Sequence, residues 1–125
     1  MTSIETFLKA YPPEVQEIAL AARKLLVEVL PGAAETLDES AKVVGYGYGP
    51  GYRGVVCTLI LSRKGVKLGI AHGSELDDPK QLMKGSGKVH RHVELRTIAD
   101  LKQSGLKPLL KAALAAWKQR TEVNG

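Results

Sequence analysis

One segment restricts this chain more than any other. Val15, Ile18, Ala19, Ala22, Leu25, Leu26 and Val29 recur at steps of three, four and seven residues, which is a single apolar stripe along a helix. Glu14, Glu17, Arg23, Lys24 and Glu28 lie off the stripe. Tyr11-Pro12-Pro13 opens the segment, with Pro13 suited to a first helical turn, and Pro31-Gly32 closes it after about Leu30. Such a stripe is stable only when buried against another layer, so the rest of the chain has to supply one.

The remaining sequence supplies strands. Val55–Ser62 and Val66–His72 are β-rich runs, and Arg63-Lys64-Gly65 between them reads as a hairpin turn with glycine in the left-handed position. On the second run Val66, Leu68, Ile70 and His72 share one face, and Lys67, Gly69 and Ala71 the other. A third run, Val89–Arg96, alternates Val93 and Leu95 against His90, His92, Glu94 and Arg96. Weaker strands cover Glu35–Asp38 and Val43–Tyr48. Short helices flank them. Thr2-Ser3-Ile4-Glu5 fits a capping box with Thr2 as the cap, and Thr97-Ile98-Ala99-Asp100 fits another, with Gly105 as the break that follows. A last helix starts near Lys107-Pro108. Leu106, Leu109, Leu110, Ala113, Leu114 and Trp117 form its stripe, while Lys107, Lys111, Lys118 and Arg120 face water. The expected fold is a single α+β domain over residues 1–125. It has two layers, a mainly antiparallel sheet with the N-terminal and C-terminal helices packed on one face.

Composition limits function more than it reveals it. The 125 residues carry a net charge of +5. Residues 1–40 hold three basic and seven acidic side chains, a net of −4, and residues 41–125 hold fifteen and six, a net of +9. Cys57 is the sole cysteine and lies in an apolar run, which excludes an intrachain disulfide and reads as a buried, inert thiol. No window approaches the roughly 18 apolar residues of a membrane span. Residues 1–10 carry Glu5 and Lys9 and have the character of neither a signal peptide nor an anchor, so a cytoplasmic location is expected.

Motifs for common chemistries are incomplete. Gly49, Gly51 and Gly54 match G-x-G-x-x-G, yet a β-rich run follows where a dinucleotide site needs a helix. Gly85-Ser86-Gly87-Lys88 resembles the end of a P-loop, but Leu82 and Val89 stand where glycine and a hydroxyl residue belong. His90 and His92 on one strand, with Glu94, fall short of a supported metal set, and no Ser–His–Asp order, HExxH or CxxC is present. The reading therefore names no cofactor, no metal site and no catalytic residue. A basic patch is more plausible. Lys84, Lys88, Arg91 and Arg96 surround the glycine-rich turn, and Tyr46, Tyr48 and Arg53 join them from the 45–54 loop as candidate ligand-binding residues.

The order of several short segments carries a family resemblance. These are Ile4-Glu5-Thr6-Phe7-Leu8, Tyr11-Pro12-Pro13-Glu14-Val15, Leu30-Pro31-Gly32-Ala33-Ala34-Glu35, Gly85-Ser86-Gly87-Lys88, Arg91-His92-Val93-Glu94-Leu95 and Leu109-Leu110-Lys111-Ala112-Ala113. Over nearly the whole chain they resemble the domain of unknown function 1801, the YdhG-like family. The resemblance implies a compact α+β domain without an established activity. Some relatives are described as frataxin-like iron chaperones that hold iron with surface carboxylates, which here points to Glu28, Glu35, Asp38 and Glu39. Many relatives have a Gly-x-Pro-x-Tyr segment where this chain reads Gly45-Tyr46-Gly47-Tyr48. The leading expectation is a non-catalytic domain binding a small anionic ligand or an acidic partner. Iron binding is the second. Weak single-stranded nucleic-acid binding through the tyrosines and bases is the third, and a basic excess of only +5 ranks it last.

Overall fold

The computed structural model describes residues 3–49, 54–85 and 89–124. The order is α1 (Ile4–Leu8), α2 (Pro13–Val29), β1 (Ala34–Asp38), β2 (Val43–Gly47), β3 (Val55–Ser62), β4 (Gly65–Ile70), β5 (Met83–Lys84), β6 (Arg91–Leu95) and α3 (Leu106–Asn124). Short 3₁₀ helices occupy Gly73–Glu75 and Ile98–Lys102. Among the described residues the strands form one antiparallel sheet in the order β1-β2-β3-β4-β6-β5. The α+β architecture is the one the sequence pattern implies.

The stripe of α2 is buried as a unit, and α2 packs on β3 and β4 while α3 packs on β3. From the sheet the core takes Val44, Tyr46, Val56, Leu59, Leu61, Val66, Leu68, Ile70, Val93 and Leu95. From α3 it takes Leu106, Leu109, Leu110 and Ala113. Val56 and Cys57 are both buried, beside the register shift at Tyr46/Gly47; elsewhere alternation sends the neighbours of these residues to the opposite, helix-free face. In register across that face run Thr36, Gly45, Thr58, Gly69, His92 and Lys84. A second row runs Asp38, Val43, Ile60, Lys67 and Glu94.

Several local expectations change. The cap of α1 is Ser3, whose Oγ accepts from the Thr6 N–H at 3.1 Å, while Glu5 turns to Arg23; Thr2 lies outside the described residues. The capping box at Thr97 and Asp100 is present and opens a 3₁₀ helix. Ser62 pairs directly with Gly65, so the turn is Arg63-Lys64 and Gly65 already opens the next strand, at a positive φ of +157° that side-chain-bearing residues rarely adopt. His72 leaves the strand at φ +56°, because its N–H goes to His90 Nδ1 (3.1 Å) in place of a ladder partner. β6 begins at Arg91 because the Val89 carbonyl accepts from Ser74. Arg120 is half-buried, its Nη1 3.8 Å from Glu75 Oε2, instead of facing water. No helix among the described residues is long and apolar enough to cross a membrane.

Two glycines of β2 behave oppositely. A Cβ at Gly47 would lie 2.0 Å from the Gly54 carbonyl oxygen, so this approach of two backbones needs glycine. A Cβ at Gly45 would meet nothing closer than Val55 Cγ2 at 3.7 Å. Gly47→Ala is therefore expected to lower stability sharply, while Gly45→Ala raises it by about 0.5–1 kcal/mol through the strand-propensity gain. Urea unfolding of both variants checks the contrast.

Candidate functional site

The basic patch divides when the chain folds. Lys84 sits on the edge strand β5, opposite His92. Arg96 follows β6, where Asp100 Oδ2 accepts from the Arg96 N–H at 2.7 Å and from the Thr97 N–H at 3.0 Å. Both cations converge on one carboxylate. Arg96 Nη2 is 3.3 Å and Lys84 Nζ 3.7 Å from Glu94 Oε2, with His92 Nε2 3.9 Å from Oε1. Lys84 and Arg96 are 64% and 76% exposed, against 27% for Glu94, so the cations stand outward around a partly sunken counter-ion. Exposed pairs of this kind contribute only about 0–1 kcal/mol, and the two cations are easily redirected to another anion. Beside them a polar cavity of about 300 Å³ is bordered by Lys80, Lys84, Glu94, Arg96, Asp100 and Gln103.

Arg91 stands apart. It falls in phase with the core residues Val93 and Leu95, and its Nη1 donates to the His90 carbonyl at 3.3 Å. Lys88, with Ser86 and Gly87 of its turn, and Arg53, with Pro50, Gly51 and Tyr52, lie outside the described residues.

The tyrosines serve the fold. Tyr46 is 1% exposed, and its hydroxyl donates to Glu35 Oε2 at 2.6 Å. Glu35 also receives Arg23 through Nε at 2.8 Å and Nη2 at 2.9 Å, and Arg23 Nη1 reaches Glu5 at 2.6 Å. Burial, followed by the adjacent Glu35 carboxylate, raises the Tyr46 phenol well above its ordinary range. The Tyr48 hydroxyl donates to the Pro31 carbonyl at 2.8 Å, and its ring lies 5.0 Å from that of Trp117. The Tyr46 ring is thereby withdrawn from stacking on a base, while Tyr48 is half-buried against Trp117.

The carboxylates read as iron ligands disperse. Glu35 belongs to Arg23 and Tyr46, Glu28 is 3.3 Å from Lys107 Nζ, and Asp38 Oδ1 accepts from Ser40 Oγ and the Ala41 N–H. Those last two bonds hold the Asp38 carboxyl below its ordinary range. Among the described residues no group of three or more His, Cys, Asp and Glu side chains is placed to hold a metal ion.

Sequence reading missed Lys80 and Gln103, which reach the cavity from segments flanking β5 and β6. It also missed the contact of His72 with His90, whose rings lie 5.7 Å apart and nearly perpendicular. Of the residues at the cavity, Lys84 and Arg96 were legible as binding candidates, and Glu94 only as a companion of His90 and His92.

Three outcomes follow from this geometry. Tyr46→Phe should cost roughly 1.5–3 kcal/mol in urea unfolding, near the lower end because Arg23 still holds Glu35. Since the folded phenol titrates above the ordinary value of 10.0, Tyr46 stabilises fully below that pH. Its contribution falls as pH rises beyond it, where the unfolded phenol ionises. The alkaline decline should be shallower in Tyr46→Phe. Cys57 is buried, and burial pushes its thiol up to about 12. An aromatic disulfide reagent at mildly alkaline pH should leave it unmodified in the native protein and label it in denaturant.

Comparison with known proteins adds no relative to this geometry: no family model matches the chain, and no curated protein or solved structure matches it.

Proposed function

We propose that the chain is a non-catalytic binding domain that takes a small anionic ligand at the β5–β6 edge of its sheet. The observation that carries this reading is the convergence of Lys84 and Arg96 on Glu94 at the rim of a polar cavity. An ammonium and a guanidinium at one point suit a phosphate or carboxylate, the ammonium as a point charge and the guanidinium as a fork. Glu94 keeps them gathered until an external anion competes. The reading is in keeping with the resemblance to YdhG-like domains. The burial of Cys57 and the engagement of His90 Nδ1 with a backbone N–H fit a binding role better than a catalytic one.

Titration with inorganic phosphate, followed by amide chemical shifts, tests it. Saturable shifts are expected at residues 84, 94 and 96, weakening with added salt. The double variant Lys84→Ala/Arg96→Ala should lose them while melting within a few degrees of the parent, as loss of exposed pairs implies. Glu94→Gln should bind phosphate several-fold more tightly, because the resident competitor is gone. Absence of saturable shifts in the parent, or their survival in the double variant, refutes the proposal.

A further inference from the structure

We propose that the anion taken at the β5–β6 edge is a phosphomonoester on a small polyhydroxylated body, a sugar or polyol phosphate. This inference rests on the anion site proposed above and adds the class of ligand.

The cavity beside Lys84 and Arg96, of about 300 Å³, is near the lower end of the size range of small-molecule sites. Among the described residues Leu82 and Val93 are its only apolar borders, and no aromatic ring lines it. An apolar body placed here would strip water from charged and amide groups and return no hydrogen bonds, which costs free energy at each group. A body that carries hydroxyls returns them.

Three cations reach this cavity. Lys84 comes from β5, Arg96 from the residue after β6, and Lys80 from the turn before β5. Hydrogen bonds and packing place that turn. Asp78 accepts from the Leu82 N–H through Oδ1 at 2.9 Å and from the Met83 N–H through Oδ2 at 2.8 Å. Gly105 leaves room for the Lys80 stem, since a Cβ there would lie 2.7 Å from Lys80 Cγ. A phosphomonoester has three terminal oxygens, enough to engage two ammonium groups and a guanidinium together, where a carboxylate has two.

The exchange of partners specifies the rest of the ligand. When an anion draws Lys84 and Arg96 away, the Glu94 carboxylate loses both counter-ions, and an ionised carboxylate is satisfied only by donors. Hydroxyls on the ligand supply them. An ammonium would have to stand on Glu94 beside Lys84 and Arg96, where like charges repel. Gln103 provides a second acceptor. Its Nε2 donates to the Asp100 carbonyl at 2.8 Å, which fixes the amide and leaves Oε1 to accept. Three cationic donors with the acceptors Glu94 and Gln103 are the complement of one phosphate and several hydroxyls.

The experiment titrates the full chain with inorganic phosphate, glucose 6-phosphate, glycerol 3-phosphate, phenyl phosphate and phosphoethanolamine, followed by amide chemical shifts. Glucose 6-phosphate should bind roughly tenfold more tightly than phosphate, with glycerol 3-phosphate between them, because hydrogen bonds to a charged group add to the anion contact. Its shifts should extend from residues 84, 94 and 96 to residues 80 and 103. Phenyl phosphate and phosphoethanolamine should bind no better than phosphate. Gln103→Ala should cost glucose 6-phosphate about three- to tenfold and leave phosphate unchanged, with its melting temperature showing a folded chain. Glu94→Gln, which tightens phosphate, should narrow the advantage of glucose 6-phosphate to roughly threefold or less. If phosphate binds but neither polyol phosphate gains over it, the polyol proposal fails and the anion site stands. An advantage that both variants leave intact also overturns it, as does an equal gain by phenyl phosphate or phosphoethanolamine. If no anion binds the parent, both proposals fall.

Discussion

The fold depends on the one-sided burial of the α2 stripe. Leu26 is fully buried, and Ala19 and Ala22 keep the helix close to β3 and β4. A fully buried leucine contributes about 1.5–3 kcal/mol, more than a typical net hydrogen bond, so burial holds the layers together. The Arg23–Glu35–Tyr46 network has a different part. It joins α2 to β1 and β2 at the margin of the core and reaches α1 through Glu5. A rotation or slide of the helix would take Arg23 away from the Glu35 carboxylate and leave Tyr46 to hold it alone. Apolar burial thus decides that α2 packs, and the charged network decides in which orientation.

Covering one face leaves the other uncovered. The same alternation that sends Val44, Leu59, Leu68 and Val93 into the core sends Gly45, Thr58, Gly69 and His92 to the helix-free side. The residues that looked most unusual in sequence, the tyrosines of the glycine-rich segment, go largely into construction. Tyr46 shares the phase of Val44 and enters the core, and Tyr48 closes over Pro31 and Trp117.

What was legible followed the range of the signal. Helix α2, strand β3 and the alternation of Val93 with Leu95 are written in neighbouring residues, and the structure keeps them. Strand β5 is two residues long and carries no period, so only its pairing with His92 and Val93 makes it a strand. The grouping of Gly45, Thr58 and Gly69 depends on register, which no local pattern records. His72 and His90 are eighteen positions apart, and their hydrogen bond is what ends the strand containing Ile70. The patch of four bases was half legible. Lys84 and Arg96 meet, but Arg91 has the opposite phase on β6, and that phase was already present in its spacing from Val93 and Leu95.

Glu94 gives the sheet edge a character that a bare pair of cations would lack. Because the carboxylate is part of the chain, its local concentration is permanent and cannot be diluted away. Water, halides and loosely held counter-ions meet two cations already engaged with an anion. One carboxylate against two cations reduces the positive charge of this edge and does not cancel it. In the anion site proposed above, Glu94 would set a threshold: a visiting anion has to exceed a tethered carboxylate in charge or in the number of its contacts before the two cations change partners.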